Sequence, residues 1–317
     1  MARYLTKQIL SAVITLFCIT AILFLLLSLV RGGPLDVLRA SGADLSPAEL
    51  ETLRRTLGLD KPVWVRYALW LRDVAGGDLG TSFRYSAPVS SIIRQRLGPS
   101  LLLSLTGLAL ALILALPIGV MAAYHPGSWW DRVSSFFALV GSSVPRFIVC
   151  IAGIYFLSYR LRLFPAMGMH AAGTTSLADL LHHLTLPALI IAFGTMGYFI
   201  KQTRSACLEV FQEDYMKTAR AKGLSEWEVV VKHGLRTALA PILTQAALEL
   251  PTIVGGSTLT EKIFAWPGIG SLMIEAISNR DQPLIMGVAL LIAVTVLSCN
   301  ILLNVAYGLL DPRVTYQ

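Results

Sequence analysis

The chain has 317 residues, 55% of them hydrophobic and only 14% charged, with a net charge of +7 and a mean hydropathy of +0.66. Soluble domains carry about 25% charged residues, so this balance excludes an ordinary water-soluble globule and points to lipid as the main solvent. The positive charge does not indicate a nucleic-acid partner, because the basic residues sit in loops between apolar runs, where membrane topology accounts for them.

Crossing a bilayer takes roughly 20 apolar residues as a helix. Six such runs occur, at about 9–30, 100–124, 133–158, 183–200, 239–260 and 283–310. The expected fold class is therefore all-α: a polytopic membrane protein of six transmembrane helices, with an external helical subdomain between spans 1 and 2. The first run follows a short basic start and mimics a secretory signal. It is longer than the ~7–15 apolar residues of a signal core, and no small-residue cleavage site follows, so a retained span is expected.

Counting Lys and Arg in short loops only, one side of the membrane receives eleven and the other four. The positive-inside bias then predicts that both termini and the loop between spans 4 and 5 are cytoplasmic. This gives three stretches: 1–30 as cytoplasmic start and first helix, 31–99 as the external subdomain, and 100–317 as a core carrying a cytoplasmic loop at 202–240.

The external stretch has helix signals of its own. In "LSPAELETLRRTLG", Ser46 is a predicted N-cap, Pro47 occupies the first turn, Glu49 closes a capping box and Gly58 is the stop. In "KPVWVRYALWLRDVAGG", Trp64, Tyr67 and Trp70 recur at three-residue spacing on one face, as aromatics do at a membrane–water boundary. Two readings fit this stretch equally: a cap over a pathway mouth, or a segment lying on the bilayer.

Two charges fall at membrane depth, where such residues mark pathways. Arg146 follows Pro145 in the third span. Glu249 lies in the fifth, shortly before Pro251 and the pair Gly255 and Gly256. Facing lipid, each would cost ~2.5 kcal/mol or more; a wet cavity, a partner, or each other are the alternatives. The carboxylate also keeps a proton-coupled carrier in view, which would transport without ATP.

Between spans 4 and 5 lies "EDYMKTARAKGLSEWEVVVKHGLRTALAPI", a polar, helix-forming segment. A first helix ends at Lys222 and Gly223, with the glycine suited to a left-handed cap. Ser225 can N-cap a second helix with Glu228 closing a capping box, and Leu224 and Val229 occupy staple positions. The small residues Thr218, Ala219 and Ala221 permit close approach, while Arg220, Lys222 and Lys232 supply charge. An ordinary capped loop and a surface held in shape for a partner both fit.

Chemistry of its own is not indicated. The only Lys followed by Ser or Thr is Lys217, preceded by Met216, so there is no P-loop. His-Glu-x-x-His and Gly-x-Ser-x-Gly are absent. His182 and His183 are adjacent and point about 100° apart on a helix. The four cysteines stand singly, without metal or redox spacing.

The segment "DYMKTARAKGLSEWEVVVKHGLRTALAP" resembles the signature cytoplasmic loop of binding-protein-dependent ABC importer permeases. Ala219 and Gly223 stand where that signature has its second Ala and its Gly. Lys217, Thr218 and Arg236 depart from the general signature in the manner of the dipeptide, oligopeptide and nickel branch. "LGLDKPVWVRYALWL", "GDLGTSF", "FPAMG", "TEKIFAWPGIGSLMIEAISNRDQP" and "YGLLDPRVTY" resemble the longer permease type of that branch along nearly the whole chain.

The resemblance implies the type I importer permease fold in a bacterial inner membrane. The chain would be a non-catalytic subunit forming half of the pathway for di- or oligopeptides; nickel or a metal–metallophore complex is the alternative cargo. Implied partners are a second related permease, two ATP-binding subunits that hold ATP and magnesium, and a periplasmic solute-binding protein. No cofactor is implied in this chain. ATPase coupling falls to Asp214, Thr218, Ala219, Arg220, Ala221, Lys222, Gly223, Leu224, Ser225 and Glu228. Pathway or gate candidates are Glu249, Gly255, Gly256, Phe264, Trp266, Pro267 and Gly268, the last four in a hairpin resembling a re-entrant element near an outer gate.

Overall fold

The structure, a computed structural model, describes residues 2–29, 46, 48–49, 51–52, 60–249 and 258–310. Those residues are helical, apart from loops and one isolated bridge between Thr81 and Pro88. They form two compact units, one from residues 1–99 and 268–317, the other from 100–267.

In the first unit, α1 (Ala2–Leu29) packs against α2 (Val63–Ala75) and against the C-terminal α12 (Gln282–Leu310). The predicted aromatic face of α2 divides. Tyr67 stacks on Trp70 and meets Phe24 of α1, its hydroxyl lying 2.8 Å from Thr20 Oγ1, whereas Trp64 is 74% exposed. Upstream, the capping box is present: Glu49 N donates to Ser46 Oγ, and Ser46 N donates to the Glu49 carboxylate at 2.8 Å. Pro47 and Gly58 lie outside the described residues.

Helix α3 (Val89–Tyr124) starts eleven residues before the predicted span. Its early turns bury Val89, Ile92 and Ile93 with Ile269, Leu272 and Ala276 of α11 (Ile269–Ser278) and with Leu284 and Val288 of α12. Asp281 fixes the loop before α3. Its buried carboxylate accepts from Ser82 Oγ (2.5 Å), Arg84 N (3.0 Å) and Leu284 N (3.2 Å), so one side chain caps α12 and clamps residues 82–84.

In the second unit the third predicted span is broken. Helix α4 (Trp129–Ser143) and the stretch 146–160, made of α5 (Arg146–Gly153) and the π-helical Ile154–Arg160, meet at 102°. The cause is local: proline disfavours helical backbone in the residue before it, and Val144, ahead of Pro145, has ψ 125°. Helix α6 (Leu177–Phe211) overruns the predicted fourth span at both ends. It meets α4 through glycine: a Cβ on Gly141 would lie 2.8 Å from Phe193 O, and one on Gly197 2.6 Å from Ala138 O. Such small-residue contacts are how helices pack where lipid removes the hydrophobic drive.

Among the described residues, four helices are long and apolar enough to cross a membrane, or five when the bent pair is counted as one span. The remaining predicted span, 239–260, contains α9 (Arg236–Leu248) and the start of α10 (Thr258–Ile263); residues 250–257 lie outside the described ones.

Candidate functional site

The polar segment after α6 folds as an elbow. Helix α6 stops at Phe211, two residues intervene, and α7 (Asp214–Ala221) begins. Asp214 sits in its first turn, pairing with Lys217 at 2.8 Å, and its carbonyl accepts from Thr218 Oγ1. Lys222 N donates to Thr218 O and Gly223 N to Arg220 O, closing the helix on a Gly223 with φ +77°. That left-handed backbone is cheap only for glycine.

Ser225 then caps α8 (Glu226–Glu228), accepting from Glu228 N at 3.3 Å, while its hydroxyl donates to the Glu228 carboxylate at 3.1 Å. The helix continues through a π-helical Val229–Leu235 into α9. Inside the bend, Met216, Ala219 and Val229 form a small buried cluster with Phe211 against it. Leu224 stands outside this cluster, 37% exposed. Gly234 lets the π-turn approach, since a Cβ there would lie 2.6 Å from Phe211 Cε1.

Across the turn, Arg220 Nε donates to Glu226 Oε1 at 2.9 Å, and Tyr124 at the end of α3 donates to the other carboxylate oxygen at 3.4 Å. The elbow is thus a shaped body with Ala221, Lys222 and Leu224 on its outside. Two exposed aromatics accompany them: Tyr215 at 42% and Trp227 at 76%. Sequence reasoning passed over both, although Trp227 sits within the cap sequence "SEWE". It also passed over Asp131, which receives Arg204 through Nε (2.6 Å) and Nη2 (2.9 Å) and so ties the start of α4 to α6 near the elbow.

The second group of predicted residues is scattered in kind. Glu249 caps the end of α9 and is half-buried. Gly255 and Gly256 lie outside the described residues. Phe264 and Trp266 are both buried, at 2% and 1% exposed, in separate clusters: Phe264 with Cys150, Leu186 and Ile190, Trp266 with Leu103, Leu184 and Ile191. The turn carrying them has Ala265 at φ +47°; Trp266 N bonds to Glu261 O, and Phe264 O accepts from Gly168 N. Its anchor is Glu261, fully buried and accepting from Ser100 Oγ at 2.6 Å, a role that the stretch "TEKIFAWPG" does not by itself reveal. Pro267 ends the second unit, while Gly268 opens the C-terminal segment of the first and caps α11, its N–H donating to Ser271 Oγ.

Arg146 opens α5 at the break. It borders a cleft of 620 Å³ together with Ser142, Ser143, Gly194 and Thr258. It makes no ion pair with Glu249 or any other described residue. The histidines are held by neighbours: His182 Nε2 lies 2.8 Å from Leu163 O, and His183 Nδ1 lies 2.9 Å from Asp179 O. Among the described residues, no three His, Cys, Asp or Glu side chains come together to hold a metal ion.

Comparison with known proteins gives a consistent result. Residues 115–316 match the family described as binding-protein-dependent transport system inner membrane component, and residues 1–106 match its N-terminal family. A Brucella suis protein that carries the name of a peptide permease is 40% identical over 316 residues, 99% of each chain. The oligopeptide transport system permease protein AppB of Bacillus subtilis is 37% identical over 318 residues, the whole of both chains. The dipeptide transport system permease protein DppB of Alkalihalophilus pseudofirmus is 33% identical, again end to end. Among solved structures, an inward-facing form of the MetNI methionine ABC transporter superposes with TM-score 0.53 at 17% identity, covering 70% of this chain and 97% of that one. That likeness is one of fold.

Proposed function

The chain belongs to the family of binding-protein-dependent transport system inner membrane components, and from that premise we propose that it is a permease subunit of an ATP-driven peptide importer. It forms half of the pathway, beside a second related permease. Two ATP-binding subunits and a periplasmic solute-binding protein complete the assembly. Di- and oligopeptides are the cargo, a reading supported by full-length similarity to proteins named for peptide, oligopeptide and dipeptide transport.

The observation that carries the mechanical part is the elbow. A joint capped on both sides of a left-handed glycine, filled by Met216 and Val229 and bridged by Arg220 and Glu226, transmits a displacement that a loose loop would absorb. Its exposed Tyr215, Leu224 and Trp227 supply apolar anchors, and Lys222 and Lys232 supply charge, for a groove on an ATPase subunit. ATPase closure then moves α6 and α9, the two helices the elbow joins. The elbow and both termini face the cytoplasm, in keeping with the excess of Lys and Arg on that side.

The test is reconstitution of the full complex in proteoliposomes. Uptake of a labelled tripeptide requires ATP, the binding protein and an intact elbow. Accumulation of solute by this chain alone, without nucleotide, would overturn the reading. A cysteine at Trp227 should react with an impermeant thiol reagent only from the cytoplasmic face.

A further inference from the structure

We infer that Arg146 is an anion-recognition point inside the translocation pathway, and that the ligand it takes is the free carboxylate of the passing peptide. The inference rests on the peptide-import reading above and deepens it.

Depth comes first. A Cβ on Gly194 would lie 3.5 Å from Arg146 Nε and 3.6 Å from Nη2, so the guanidinium crosses α6 at that glycine. Gly194 is midway along Leu177–Phe211. Arg146 is also the midpoint of the broken span, with α4 on one side and 146–160 on the other. On α6, and on the bent pair taken as one span, the cation thus lies far from either end, where a charge in a membrane is costly unless it meets water or an opposite charge.

Arg204, on α6, is matched by Asp131. Arg146 has no hydrogen bond or ion pair with any described residue. It is exposed to a cleft of 620 Å³, which has the size of a small-ligand site. Ser142, Ser143 and Thr258 also line that cleft. At Gly194 an added Cβ would just touch the guanidinium, at ordinary contact distance, so the arginine lies directly over this residue. The first N–H groups of α5 lie at the same end, where a helix favours an anion.

A planar guanidinium takes a carboxylate through two parallel hydrogen bonds. Every unmodified peptide carries one such group whatever its side chains, so a single arginine serves a mixed cargo. The same charge repels a bare divalent cation, which argues against free nickel at this point.

The experiment uses the reconstituted importer with its binding protein and ATPases, and compares Arg146→Gln and Arg146→Lys with wild type. Two forms of one labelled tripeptide are supplied, one with a free C-terminus and one amidated. Because each variant is scored against wild type for the same peptide, the preference of the binding protein cancels. Arg146→Gln should lower uptake of the free acid about tenfold, the scale of one charge-assisted hydrogen bond, and leave the amide within twofold. Arg146→Lys should recover part of the loss. ATP hydrolysis stimulated by the binding protein is read in the same preparations, so that loss of uptake is compared between assembled complexes.

Equal loss for both peptides, together with poorer recovery of the assembled complex, would make Arg146 a counter-ion for a neighbouring subunit and overturn the inference. Unchanged uptake of both would also overturn it. If the wild-type complex imports neither peptide yet imports nickel, the peptide reading itself falls, a pattern distinct from either of those.

Discussion

Arg220 reaches over the glycine turn to Glu226, its Nε 2.9 Å from the carboxylate, so α7 and α8 are tied across the residue that reverses the chain between them. Both side chains are partly exposed, at 38% and 51%. An exposed pair of this kind contributes ~0.2–1 kcal/mol. Its role is to set an angle more than to stabilise the fold. Arg220→Glu or Glu226→Arg alone should weaken the coupling of ATP hydrolysis to uptake with little change in melting temperature. The double exchange should restore it. A double exchange no better than the singles would separate this pair from coupling.

Gly223 has φ +77°, and a Cβ added there would meet nothing within 4 Å, so substitution is limited by backbone strain alone. Alanine in left-handed backbone costs about 1–2 kcal/mol, and a β-branched residue more. Gly223→Val should insert into the membrane normally and lose binding-protein-stimulated ATPase activity; Gly223→Asn should retain most of it. Those outcomes are read from membrane yield and ATPase rate in the same preparation.

At Gly234 the limit is space. A methyl group there meets Phe211 Cε1 at 2.6 Å and Met216 Cε at 3.1 Å. Overpacking of this order costs about 1–3 kcal/mol. Gly234→Ala should lower the melting temperature and loosen the elbow to limited proteolysis. Phe211→Leu, made in the Gly234→Ala background, should recover part of both.

Asp281 satisfies Ser82, Arg84 and Leu284 from a fully buried position. Removing it leaves three donors unpaired, each worth about 1–3 kcal/mol. Asp281→Ala should reduce folded protein in the membrane and expose residues 76–88 to protease. Asp281→Asn, which keeps acceptor capacity on one oxygen, should be milder.

Tyr85 donates its hydroxyl to Glu275 at 2.7 Å. Burial, and after it the Glu275 carboxylate, push its pKa above the ordinary tyrosine value of about 10. The proton is therefore held more tightly in the folded state. Stability from this contact is full below the unfolded value and is lost as pH rises through the folded one. In detergent, the melting temperature of wild type should fall more steeply above about pH 10 than that of Tyr85→Phe. Parallel curves would show that the contact adds nothing.

What could be read from the sequence was what local chemistry decides. The Ser46–Glu49 box, the Ser225 cap and the positive φ of Gly223 each depend on residues a few positions apart. The start of α3 was missed because Val89–Pro99 carries polar residues and is made helical by packing on α11 and α12, not by hydropathy. The break at Val144 was present as Pro145, yet a mean-hydropathy run hides a proline. Glu261 and Asp281 were illegible because their hydroxyl partners, Ser100 and Ser82, are 161 and 199 residues away along the chain. Only folding brings such pairs together.

The glycines where α4 crosses α6 have one more implication. With Gly141 against Phe193 O and Gly197 against Ala138 O, backbone rests on backbone at those two points, with no side chain between them. Side chains deform by hopping between wells; peptide groups in contact have no such slack. A push delivered beside Arg204 should therefore carry both rods together, with little lost where the peptide groups touch.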